Sequence, residues 1–143
     1  MADPTYTAQA HVTGGRDGGH GRSSDGKLEV DLGLPNEMGG DGNGTNPEQL
    51  FAVGYAACFE GALNLVAARE RVEAADAEVD SAVSLVPEGK AFRLAVKLDV
   101  TLPSLEGDQA VALVRSAHQV CPYSNATRGN IEVALTANGQ SLD

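Results

Sequence analysis

The chain has 143 residues, of which 42% are apolar, so a single domain over residues 1–143 with a buried core is expected. Its net charge of −10 would repel a phosphate backbone, which argues against nucleic-acid binding. The opening Met1-Ala2-Asp3-Pro4-Thr5-Tyr6 has neither the basic residues nor the apolar run of a signal peptide. A cytoplasmic location is therefore expected, where disulfides are transient and catalytic or sensory rather than structural.

Residues 5–13 alternate, with Tyr6, Ala8, Ala10 and Val12 on one face, which predicts a half-buried strand. Residues 14–21 are dense in glycine and read as a loop or hairpin tip. A second strand is expected over residues 27–34, with Leu28, Val30 and Leu32 on one face, followed by a glycine-rich connection over 35–45. The clearest helix start comes next. Asn46 can cap, Pro47 suits the first helical position, and Gln49 falls where a capping-box partner would sit. Thr45 with Glu48 offers the same signature one residue earlier.

This helix should run to about residue 71, and it is apolar nearly all round, so cover on several sides is expected. Residues 50–68 are long enough to cross a bilayer. However, Glu60 and Asn64 interrupt them and the many Ala and Gly keep them only mildly apolar, so a core helix is expected and no membrane. One chain of this size would struggle to wrap such a helix, which points to a homodimer sharing the core. Residues 79–86 and 92–102 read as a hairpin turning at 87–90. Residues 106–118 suit an amphipathic helix with Ala110, Leu113, Val114 and Ala117 inward, and residues 131–135 make a final strand. The class is α+β.

The chain holds two cysteines. Cys58 lies in the apolar run, where its thiol would be shielded. Cys121 lies in Val120-Cys121-Pro122-Tyr123-Ser124-Asn125, which reads as a turn or loop. One shielded thiol and one on a movable segment would suit a two-cysteine redox cycle. A small buried hydrophobe accounts for Cys58 equally well. Burial in apolar surroundings raises a thiol's pKa, and the helix dipole fades within its first turn, so an active Cys58 needs a cation from elsewhere. Arg16, among Gly14, Gly15 and Gly18, is the best candidate, and it would need a carboxylate, Glu48 ahead of Asp17. Glu48 and Cys58 are ten residues apart, ~15 Å along a straight helix. For both to reach one arginine, the helix must break near Gly54, or Glu48 or Arg16 must come from a second chain. His11, His20 and His118 lack metal-ligand spacing, so no zinc site is expected.

Four stretches carry a family resemblance. They are Gly14-Gly15-Arg16-Asp17-Gly18, Gly44-Thr45-Asn46-Pro47-Glu48-Gln49-Leu50-Phe51-Ala52, Gly54-Tyr55-Ala56-Ala57-Cys58-Phe59, and the run from Val120-Cys121-Pro122-Tyr123-Ser124 to Asn125-Ala126-Thr127-Arg128-Gly129-Asn130. In order and spacing they resemble the organic hydroperoxide resistance (Ohr) branch of the OsmC/Ohr proteins, and the likeness runs from Tyr6 to Leu135. Glu60 departs from it, standing where the branch usually carries an apolar or neutral residue. The resemblance implies an intertwined α+β homodimer, with long apolar central helices packed against antiparallel sheets and two active sites at the interface. It implies a cytoplasmic thiol-dependent peroxidase that reduces organic (alkyl, aryl, lipid) hydroperoxides to alcohols without a bound cofactor. By matching positions, Cys58 would be the peroxidatic cysteine, Cys121 the resolving one, Arg16 the group polarising the thiolate, and Glu48 its holder. Dihydrolipoyl groups, from a lipoylated protein or dihydrolipoamide, would reduce the disulfide. Phe51, Phe59 and Phe92, or their equivalents from the partner chain, are expected as apolar walls for the substrate. The same cysteine pair would also suit a redox sensor that does not turn over.

Overall fold

The structure, a computed structural model, describes residues 2–142. Its contacts fall into two compact units, one ending at Leu50 and the other beginning at Phe51.

The first unit is built on a three-stranded antiparallel sheet of β1 (Ala10–Thr13), β2 (His20–Ser23) and β3 (Glu29–Asp31), in that order. The predicted strand over residues 5–13 is confined to its last four residues and is exposed throughout, with Tyr6 78% and Val12 55% accessible. Alternation predicts burial only where a second layer covers the apolar face, and the described residues of this unit form one sheet alone. β2 lies in what reads as loop. His20-Gly21-Arg22-Ser23 has no β-branched or aromatic residue and is a strand because it pairs on both sides. β3 is shorter than predicted, because beyond Asp31 the backbone leaves the ladder. Leu32 N–H donates to Gly19 O and Gly18 N–H to Leu32 O, while Leu32 bridges to Thr45.

Helix α1 (Pro47–Glu70) starts and ends close to expectation. Asn46 Oδ1 accepts the Gln49 N–H at 2.8 Å, the predicted cap. The Thr45–Glu48 capping box does not form. The Thr45 hydroxyl donates to Gln49 Oε1 at 2.6 Å, and Glu48 is turned toward Arg16. α1 is unbroken through Gly54, which removes a helix break from the three ways in which Glu48 and Cys58 could reach one arginine. It is long and apolar enough to cross a membrane by length and composition, but Tyr55, Phe59, Leu63 and Val66 pack into a core. Only that face is covered. Val53, Ala57, Gly61 and Leu65 are exposed, so among the described residues of one chain cover on several sides is not found.

The second unit sets α1 with α2 (Gly107–Val120) and α3 (Pro122–Thr127) beside a four-stranded sheet. The sheet comprises β4 (Glu78–Glu88), β5 (Ala91–Thr101), β6 (Val133–Ala137) and β7 (Gln140–Ser141), in that order. The β4–β5 hairpin turns on Gly89-Lys90 alone, tighter than predicted, because Pro87 and Glu88 still pair with Phe92 and Ala91. β6 runs parallel to β5, the exception in an otherwise antiparallel sheet, and the two helices form the crossover that a parallel pair requires. Ala110, Leu113, Val114 and Ala117 of α2 face inward as the spacing predicts. They share a core with α1 and with Val96, Leu98 and Val100 of β5.

Replacing Asn46 with Ala removes the acceptor for one first-turn N–H. The change should lower stability by ~1 kcal/mol in urea denaturation, and an unchanged midpoint would contradict the capping role.

Candidate active site

Cys121 is the joint between two helices. A residue before proline is driven into extended backbone, and Cys121 has φ −64° and ψ 122°. α2 therefore stops at Val120, its end closed by the Cys121 N–H on Ala117 O. Pro122 suits the first helical position and α3 starts at once, its first bond running from Asn125 N–H to Cys121 O. The predicted turn or loop is thus a helix–helix kink, and the sequence signal for it is the proline itself.

Cys58, expected to be shielded, is only half-buried, whereas Cys121, expected on a turn or loop, is fully buried. Both are free, and their sulfurs lie 3.5 Å apart. α3 comes this close to α1 because residue 54 is glycine. A Cβ there would meet the Tyr123 hydroxyl at 2.9 Å, and the Tyr123 ring packs with Phe51 and Tyr55 at centroid distances of 5.7 and 5.6 Å. Burial pushes the Cys58 thiol above its ordinary range. The backbone N–H of Tyr123, the first that α3 has to offer after proline, pulls it down, and the neighbouring Cys121 sulfur raises it again. No cation is among these causes. As the chain is arranged, Cys58 is a sulfur within reach of solvent whose surroundings on balance disfavour the thiolate.

Arg16 and Glu48 meet within one chain. The loop from β1 to β2 is pinned to Leu32 by two backbone bonds, and Leu32 is bridged to Thr45 just ahead of α1. Gly19 permits the tight loop, since a Cβ there would sit 2.0 Å from Gly15 O. The guanidinium then grips the carboxylate with two bonds, Nη1 to Oε1 at 2.8 Å and Nη2 to Oε2 at 3.2 Å. Arg16 holds the Glu48 carboxyl below the usual range, against a smaller upward push from burial. Of the two carboxylates weighed for Arg16, Glu48 is the partner that forms.

A cavity of about 850 Å³ in the second unit is lined by Phe51, Phe92, Leu94, Pro122, Tyr123 and Ile131, with Arg93 and Glu88 paired at 3.2 Å on its wall. Phe51 and Phe92 are therefore on one cavity. Phe59 is fully buried in the core and does not line it, which corrects its placement as a substrate wall. Its position one residue past Cys58 turns it to the adjacent, inward face of α1. Sequence reasoning missed the buried hydroxyls of Tyr55 and Ser124, which meet at 2.8 Å. Their presence in two of the motifs is the only sign of them in the sequence.

The profile of the OsmC-like protein family matches residues 40–136. The chain is 50% identical to the organic hydroperoxide resistance protein of Xanthomonas axonopodis pv. citri, over 95% of this chain and 99% of that one. A solved organic hydroperoxide resistance protein from Legionella pneumophila is 48% identical, covers 93% of this chain and 97% of its own, and superposes with a TM-score of 0.88. For OhrB of Bacillus subtilis, an organic hydroperoxide resistance protein, the values are 46%, 92%, 98% and 0.84.

A carboxyl depressed on folding stabilises the fold fully above its ordinary pKa and loses that contribution as pH falls through the depressed value. Glu48→Gln should therefore cost stability at neutral pH, by an amount that shrinks toward acid in pH-dependent denaturation. A gap independent of pH would contradict the ion pair.

Proposed function

The chain belongs to the OsmC/Ohr family, on its organic hydroperoxide resistance branch, and from that premise we propose that it is a thiol-dependent peroxidase for organic hydroperoxides. The observation that carries the reading is the pair of free sulfurs 3.5 Å apart, one half-exposed and the other fully buried. A peroxide arriving from solvent meets Cys58 first, and the second sulfur is already beside it.

In the proposed cycle, the Cys58 thiolate attacks the terminal oxygen of ROOH. An S–O bond forms, the O–O bond breaks, and the departing alkoxide takes up a proton as ROH, leaving a sulfenic acid. The Cys121 sulfur then attacks Cys58, an S–S bond forms, and the oxygen leaves as water. A dithiol reductant of the dihydrolipoyl type, free or on a lipoylated protein, returns the disulfide to two thiols. No bound cofactor enters this cycle. Because its own surroundings push the Cys58 thiol up, the reading requires a cation at the sulfur during reaction. Arg16 fills that role, from the same chain or a second copy, favouring the thiolate and stabilising charge on the departing oxygen, while Glu48 holds its guanidinium. Phe51 and Phe92 support a preference for alkyl, aryl or lipid groups, through the apolar cavity they share. The exposed apolar side chains Val53 and Leu65 of α1 support assembly as a homodimer. Both the location, cytoplasmic, and the absence of nucleic-acid and membrane partners belong to the same proposal.

The test is steady-state reduction of cumene hydroperoxide with dihydrolipoamide as reductant. Wild type should turn over many times, Cys58→Ser should abolish turnover, and Cys121→Ser should oxidise once and stall. One stoichiometric oxidation without turnover in wild type would instead indicate a redox sensor. Arg16→Ala should move thiol alkylation at Cys58 to higher pH, and an unchanged alkylation profile would remove Arg16 from the mechanism.

A further inference from the structure

The cycle above leaves unused the buried polar groups that lie among the helices carrying the thiols. Tyr55 on α1 and Ser124 on α3 are both fully buried, and each carries a hydroxyl into an otherwise apolar core. The two oxygens are 2.8 Å apart. Ser124 Oγ lies a further 2.8 Å from Nδ1 of His118 on α2, and Tyr55 Oη lies 3.2 Å from Thr127 Oγ1. One chain of hydrogen bonds thus ties together the helix of Cys58 and the two helices that Cys121 joins. Burial, and then the charge of Arg128, lower the pKa of His118 and so favour the neutral ring, whose Nε2–H tautomer has Nδ1 accepting the Ser124 proton. Arg128 is itself fixed, donating to His118 O and to Asn125 Oδ1.

A buried hydroxyl without a partner is costly, so these bonds set a register that the helices cannot leave cheaply. Ser124 is three residues from Cys121. A slip of α3 that parts Ser124 from Tyr55 also carries the Cys121 sulfur away from Cys58. The sulfurs must close from 3.5 Å to a bond of about 2.05 Å, and a sulfenic acid that waits is exposed to a second peroxide. We propose that Tyr55, Ser124 and His118 are positioning residues for the resolving step, their hydrogen-bond chain holding the α2–α3 joint so that Cys121 captures the Cys58 sulfenic acid before further oxidation. The inference rests on the peroxidase reading above. In the competing step, a second ROOH gives its terminal oxygen to the sulfenate and leaves as ROH, producing a sulfinic acid.

Rapid quenching after a pulse of cumene hydroperoxide, with a sulfenic-acid trap and intact-mass detection, separates the steps. Tyr55→Phe and Ser124→Ala each remove one oxygen and keep the apolar packing. Each should slow formation of the Cys58–Cys121 bridge by about tenfold, with more sulfinic acid, while the first oxidation, measured in a Cys121→Ser background, changes less than about twofold. His118→Leu should behave alike, and His118→Asn, which keeps an acceptor near the Nδ1 position, should recover most of the rate. Because His118 is only half-buried, that pair carries the test if either core variant fails to fold. Bridge formation at the wild-type rate in these variants, or equal slowing of both steps, would overturn the proposal. A wild-type chain that forms no bridge overturns the peroxidase reading itself, which keeps the two failures apart.

Discussion

Proline at position 122 forces the residue before it into extended backbone, and the architecture around the thiols follows from that constraint. α2 ends where it does, α3 begins without a connecting loop, and Cys121 is fixed at the kink with its side chain in the core. The kink also leaves Tyr123 with the first free N–H of α3, which is spent on the Cys58 sulfur. Opposite it, the missing side chain at Gly54 lets the Tyr123 ring lie against α1. A cyclic residue and an absent side chain, far apart in sequence, therefore set a single sulfur–sulfur distance.

That arrangement creates a chemical conflict. The apolar packing that brings the sulfurs together also disfavours the thiolate, the form that reacts. A lone guanidinium brought to such a site would carry its own desolvation cost. Arg16 already holds a carboxylate through two bonds, so its charge is balanced while its remaining N–H groups can still donate. The second unit holds the two sulfurs and an apolar cavity, and the first holds a guanidinium whose charge is already paired.

Much of this was legible in the sequence. The Asn46 cap, the extent of α1, the inward face of α2 and the β4–β5 hairpin follow from spacing and capping chemistry, which act within a few residues. The need of Arg16 for a carboxylate was also readable, from the cost of burying an unpaired guanidinium, and Glu48, ranked ahead of Asp17, is the one that pairs. The exposure of the two thiols was not. Apolar neighbours along the chain suggested that Cys58 is hidden, yet on a helix those neighbours point in all directions, and the face of Cys58 is only partly covered. Likewise, the polar residues around Cys121 looked like a loop, whereas Ser124 and Thr127 are buried and satisfied by Tyr55. Such pairings join residues about seventy positions apart, and local pattern carries no record of them. β2 was missed for the same reason, since its residues become a strand only through neighbours on both sides.

In the proposed cycle Cys58 and Cys121 act as one chemical unit. Intact-mass analysis after one equivalent of an organic hydroperoxide, followed by peptide mapping without reduction, tests it directly. A loss of two hydrogens, with the Cys58 and Cys121 peptides joined, is the predicted result. Oxygen added at Cys58 with Cys121 still a free thiol would contradict it.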